Sequence, residues 1–105
     1  MKILNFGSLN IDMVYDVEHI ANPGETISSH NMQLFSGGKG LNQSLAVSRA
    51  GGALYHAGCI GEDGKMLKEV LCESGVKLDY LKTLTSKTGH AIIQVDNSGE
   101  NSILL

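Results

Sequence analysis

Residues 36–44, SGGKGLNQS, constrain this chain more than any other stretch, because Gly37, Gly38 and Gly40 crowd directly ahead of a helical pattern. Glycine loses more backbone entropy on ordering than any other residue, so such a cluster implies close approach by a backbone or a ligand. A helix start presents unpaired N–H groups, and Lys39 adds a cation beside them. A phosphate loop, a cofactor turn, a sugar site and an ordinary tight turn all answer that description.

The nucleotide loops are tested by spacing. A phosphate loop needs Gly-x-x-x-x-Gly-Lys followed by Ser or Thr. Aligned on Gly38-Lys39, it meets Gln33 where the first glycine belongs and Gly40 where the hydroxyl belongs. The dinucleotide pattern G-x-G-x-x-G begins at Gly38 and Gly40 but ends on Gln43. Both motifs fail.

Composition removes further classes. The 105 residues suit one small domain or one piece of a larger one, and 42% apolar with 18% charged residues describes a folding chain. Thirteen glycines against one proline indicate tight turns rather than a linker. A net charge of −3, no basic cluster and no Trp argue against a nucleic-acid partner. Cys59 and Cys72 lack metal-ligand spacing and are expected as buried, reduced thiols. His19, His30, His56 and His90 are scattered, so no metal site is expected. No apolar run approaches a membrane span and no leader pattern opens the sequence, so no membrane partner is expected and the expected location is cytoplasmic.

Along the chain, residues 2–7 read as a buried strand. Residues 11–17 alternate, with Ile11, Met13, Tyr15 and Val17 on one face and Asp12, Val14 and Asp16 on the other. NPGE at 22–25 is turn chemistry, and a second alternating strand is expected over 26–35. A helix is predicted over 41–50, with Leu41, Leu45, Ser48, Ala46 and Ala50 forming a narrow face that Gly51 terminates. A buried strand at 53–61 feeds a second helix bearing Met66, Leu67, Val70 and Leu71, stopped by Gly75. Strands follow at 77–84, 90–96 and 102–105. The last is apolar and unpartnered, so the chain is expected to continue beyond it. This order predicts βαβ units of an α/β fold with an antiparallel addition.

A longer spacing does fit. Gly37-Gly38-Lys39-Gly40-Leu41-Asn42, then Ser44, Gly51 and Gly61, resembles the N-terminal signature of the ribokinase-like (PfkB) carbohydrate kinase family, nearest its ribokinase branch. NFGSLNIDMV (5–14) is similar to the family's first-strand G-S-x-N-x-D segment. NPGET resembles the turn between its lid strands, GCIGEDGKM its second Gly-rich turn, and TGHAIIQVD a later lid strand. The resemblance implies that residues 1–105 are the N-terminal part of a three-layer α/β/α sheet, with 11–35 and 88–105 contributing strands of a small β lid. It also implies substrate contacts from Asn10, Asp12, Gly37, Gly38, Lys39 and Asn42, with Ala91 and Ile93 lining the pocket.

These residue types suit a sugar. Asp12 can accept from two neighbouring hydroxyls, while Asn10 and Asn42 each offer a donor and an acceptor. Gly37 and Gly38 admit the backbone without a Cβ, and Lys39 brings three donors and a charge. The family's Gly-Ala-Gly-Asp-like motif, which supplies an anion hole and the catalytic base, is absent from these residues, so no catalytic residue is assigned and the base is expected beyond residue 105. The implied cofactors of the complete enzyme are ATP and Mg2+, with a monovalent cation as a further candidate; none is assigned to residues of this chain alone. The implied partners are a sugar such as ribose and a second subunit joined through the lid strands. Alternation is expected to gather Met13, Tyr15, Met32, Leu34, Ala91 and Ile93 on one lid face, and it does not choose which face meets the sugar. The alternative reading is a non-catalytic fragment that binds a ligand weakly or only self-associates through its lid strands.

Overall fold

The computed structural model describes residues 1–105. Its strands are β1 (Lys2–Phe6), β2 (Asn10–Asp16), β3 (Asn31–Gly37), β4 (Ala53–Gly61), β5 (Leu81–Leu84), β6 (Gly89–Val95) and β7 (Asn101–Leu104). The helices are α1 (Lys39–Arg49) and α2 (Lys65–Glu73), the latter preceded by a 3-10 turn at Glu62–Gly64. The chain divides into two compact units, one of Met1–Ile11 with Ser36–Gly89, the other of Asp12–Phe35 with His90–Leu105.

The first unit is built on a parallel sheet of order β1-β4-β5. Parallel neighbours need a crossover, and α1 and α2 supply the two. Alternation along β4 turns Leu54, His56 and Ile60 inward, where Leu41 and Leu45 of α1 and Leu67 and Leu71 of α2 cover them. Burying an aliphatic side chain of this kind stabilises by about 1.5–3 kcal/mol. The helices are tied together by the Ser48 hydroxyl, which donates to the Ser74 carbonyl at 2.6 Å.

The opposite face of this sheet is bare. Phe6 is 82% exposed and Leu4 61%, and the Tyr55 and Tyr80 rings meet there in a tilted pair with centroids 5.7 Å apart. The first unit thus forms two layers of the expected three. Cys59 follows from the same alternation: it points away from Ile60 and is exposed, and Cys72 is exposed beside buried Leu71 on α2. The expectation of buried thiols is therefore wrong for both. Ala46 and Ala50 are also exposed, and the covered face of α1 is Gly40, Leu41, Ser44 and Leu45.

The strand expected over 77–84 is shorter. Lys77 forms one parallel bridge to Tyr55, the Leu81 amide then closes a turn onto the Leu78 carbonyl, and regular pairing starts only at Leu81.

The second unit carries a sheet of order β3-β2-β6-β7. β6 and β7 are antiparallel, with Ile92 opposite Leu104 and Val95 opposite Asn101. Asp96 closes their turn, its Oδ1 accepting from the Ser98 amide and hydroxyl and from the Glu100 amide. The strand expected over 26–35 begins only at Asn31. Upstream, Glu25 Oε1 accepts from the Asn22 amide and from His19, which holds residues 19–25 as a turn. These contacts keep the Glu25 carboxyl below its ordinary range, the Asn22 amide first and His19 second.

One cavity of about 420 Å3 is lined by Tyr15, Val17, Ile92 and Gln94. Period-2 alternation then puts Ala91 and Ile93 on the other face, with Asp12, Val14 and Asp16. Met13 and Tyr15 do not share a face with Ala91 and Ile93. No helix in the chain is long and apolar enough to cross a membrane.

Candidate functional site

The glycine cluster is a crossing of two backbones. Gly38 precedes α1 at φ 98°, a left-handed conformation that favours glycine. A Cβ there would stand 2.6 Å from the Ser8 carbonyl oxygen and 3.1 Å from the Asn10 amide nitrogen. A Cβ on Gly40 would run into the backbone of Gly7 and Ser8, and one on Gly7 would lie 2.8 Å from the Gly40 Cα. The start of α1 therefore rests directly on the segment that leaves β1. The Leu41 amide donates to the Ser8 carbonyl at 3.0 Å, and the Asn42 amide to the Gly38 carbonyl at 3.0 Å.

No side chain caps this helix and no acidic residue lies in its first turn. The amides of Lys39 and Gly40 precede the first intrahelical bond, so the end is electropositive, and the Lys39 ammonium adds to it. Lys39 and Asn42 are exposed and three residues apart on α1, hence on one side of the helix, while Gly37 is buried. Asn10 is half-buried, with its Oδ1 over Gly89, where a Cβ would approach to 2.7 Å. The first unit thus brings Asn10, Gly37, Gly38, Lys39 and Asn42 to one helix start. The second unit holds Asp12, half-buried, on the same sheet face as buried Ala91 and half-buried Ile93.

A buried polar chain beneath the helix start escaped the sequence reading. His56 and Ser44 are wholly buried. His56 Nε2 lies 3.1 Å from the Gly7 carbonyl, which can only accept, so Nε2 carries the proton and Nδ1 accepts from the Ser44 hydroxyl at 2.6 Å. Asn5 Nδ2 donates to Ser44 Oγ at 2.9 Å and to the Gly40 carbonyl at 2.8 Å. No buried side-chain nitrogen or oxygen in the chain lacks a partner. The available signal was polar residues at inward positions: Asn5 in KILNF, Ser44 between Leu41 and Leu45, and His56 in ALYHAGCIG.

Burial holds the His56 pKa below its ordinary 6.5, against an opposing effect of the Gly7 carbonyl. The unfolded chain then binds a proton that the folded one refuses. The stabilisation is complete above about pH 6.5 and declines as pH falls through that value toward the lowered folded one. The lowered carboxylates Glu25, Asp63 and Asp96 act only at more acid pH, near and below 4.5. Urea midpoints are expected to fall between pH 7.5 and 5.5 in the wild type and to fall less in His56→Gln. Equal slopes in both proteins would remove His56 from the account.

A second clamp joins the end of β4 to the segment before β6. The Gly61 amide donates to the buried Thr88 hydroxyl at 2.8 Å, and that hydroxyl and the Thr88 amide donate to Asp63 Oδ1 at 2.7 and 2.9 Å. The Thr88 amide is the main reason the Asp63 carboxyl titrates below its usual range. No three His, Cys, Asp or Glu side chains converge to hold a metal ion.

The likeness to known proteins is extensive. Residues 1–105 match the pfkB family of carbohydrate kinases. A ribokinase of Haemophilus influenzae is 41% identical over 102 residues, covering 94% of this chain and 33% of that protein. The crystal structure of ribokinase from Cryptococcus neoformans in complex with ADP superposes with a TM-score of 0.91 at 48% identity, over 99% of this chain and 33% of that one. Arabidopsis thaliana ribokinase complexed with ribose and ATP gives 0.86 at 36% identity, over 98% of this chain and 34% of that one. The chain spans about a third of the length of these relatives. Its α/β architecture is that of the ribokinase fold, and by matched sequence and fold together the chain belongs to the pfkB carbohydrate kinase family.

Proposed function

We propose that this chain is the sugar-binding and lid portion of an ATP-dependent, ribokinase-like sugar kinase, which transfers the γ-phosphate of ATP to a sugar hydroxyl. The observation that carries the reading is the uncapped start of α1, where Gly38 presses on Ser8 and Asn10 while Lys39 and Asn42 share one exposed side. In this reading Asn10, Asp12 and Asn42 bind sugar hydroxyls, Gly37 and Gly38 admit the backbone to the sugar, and Lys39 places a cation near the reacting end. Ala91 and Ile93 line the pocket from the face that also carries Asp12. Ribose is the sugar of choice, supported by the relative solved with ribose and ATP. Residues 11–35 and 88–105 serve as the lid, which pairs two subunits through half-exposed Met32 and Leu34 and their neighbours. ATP, Mg2+ and any monovalent cation fall to residues outside this chain.

Phosphoryl transfer depends chiefly on positioning and charge stabilisation, so residues 1–105 without a base or anion hole have no turnover. The purified chain is expected to bind ribose in calorimetry, to release no ADP from ATP with ribose present, and to elute as a dimer by light scattering. Ribose-dependent ADP release lost in Asp12→Ala would refute the assigned division of labour. Absence of ribose binding together with monomeric elution would remove both the sugar and the lid assignments.

A further inference from the structure

The hydrogen-bond chain under α1 uses three elements and reaches the helix start from below. Asn5 and Gly7 belong to β1 and the residues just after it, Gly40 and Ser44 to α1, and His56 to β4. Its directions are forced from one end to the other. The Gly7 carbonyl fixes the proton on His56 Nε2, leaving Nδ1 to receive the Ser44 proton at 2.6 Å. Ser44 Oγ then accepts from Asn5, whose other amide hydrogen reaches the Gly40 carbonyl at 2.8 Å. The contact of Gly7 with Gly40 closes the ring.

A purely apolar core would fill this space without such demands on direction. A fully satisfied buried network specifies one arrangement, because each shifted member leaves a desolvated group unpaired. Here the arrangement it specifies is the height and rotation of α1 over β1, and hence where the amides after Gly38 point.

We propose that Asn5, Ser44 and His56 are positioning residues that fix the Gly38–Asn42 segment in its ligand-binding orientation through the Gly40 carbonyl. The inference rests on the sugar-binding reading of that segment for its function. Its structural half stands on the hydrogen bonds alone. None of the three side chains touches the ligand; each acts through the helix start.

The local reporter is the Leu41 amide, which bonds to Ser8 across the crossing, and the control is the amide of Leu71 in α2. Amide hydrogen exchange and ribose titration are followed by NMR in wild type, Ser44→Ala, His56→Leu and His56→Gln. Nitrogen-15 spectra are expected to show wild-type His56 protonated on Nε2 alone. Ser44→Ala and His56→Leu are each expected to speed Leu41 exchange and to weaken ribose binding about tenfold, the scale of one lost buried hydrogen bond. Leu71 should move far less. Glutamine offers one donor and one acceptor, so His56→Gln should return both readouts toward wild type. Equal changes at Leu41 and Leu71, or His56→Leu behaving as His56→Gln does, would overturn the proposal. If His56→Leu does not fold, Ser44→Ala carries the same comparison. Failure of the wild type to bind ribose would sink the sugar reading, while the exchange comparison would still decide the positioning role.

Discussion

Gly40→Ala is expected to destabilise the first unit by about 3 kcal/mol, the upper part of the range for overpacking. The added methyl meets the backbone of Gly7 and Ser8 rather than the end of a flexible side chain. Backbone yields only by moving β1 or α1, and either movement strains the bonds from Asn5 to Gly40 and from Leu41 to Ser8. Alanine has the better intrinsic helix propensity by up to about 1 kcal/mol, so propensity alone predicts the opposite sign. Urea denaturation distinguishes the two. Gln43→Ala, on the exposed side of the same helix, is the control and should lie within about 0.5 kcal/mol of wild type. A Gly40→Ala protein as stable as wild type would show that α1 does not rest on Gly7.

Asp12→Ala is expected to lower sugar kcat/KM by 30-fold or more in the complete kinase proposed here, while the KM for ATP stays nearly unchanged. A charged acceptor serving hydroxyls in a partly dry site is worth roughly 2–3 kcal/mol, and each 1.4 kcal/mol is about tenfold. Asn42→Ala should act in the same direction with a smaller effect, since a neutral partner lost leaves about 1–3 kcal/mol unmet. Their common effect on sugar and not on ATP would support both residues as sugar contacts. Unchanged sugar kinetics in both variants would show that the site is misplaced, and a joint loss of ATP affinity would point to misfolding instead.

The edges of these elements show where sequence reading is sound. The strand over 53–61 and the helix stops at Gly51 and Gly75 match the structure because their signals are local. Apolar alternation is carried by neighbouring residues, and a glycine at a positive φ ends a helix by its own backbone freedom. The strand expected from residue 26 starts at Asn31 because the Glu25 carboxylate organises the preceding turn through a backbone amide and an imidazole. Nothing in local propensity marks that choice. The exposure of Cys59 and Cys72 has a related cause: apolar neighbours in sequence do not say which face of an element will be covered.

By itself the sequence determined the α/β class and the glycine-rich helix start, since these depend on spacing and on what glycine alone permits. Only the tertiary structure decided that Gly40 lies against Gly7, that Asp12 shares a face with Ala91 and Ile93, and that Asn5, Ser44 and His56 join beneath the helix. Those facts belong to pairs of segments 12 to about 80 residues apart in the chain, and contacts at such separations are set by packing and hydrogen-bond satisfaction rather than by any local pattern.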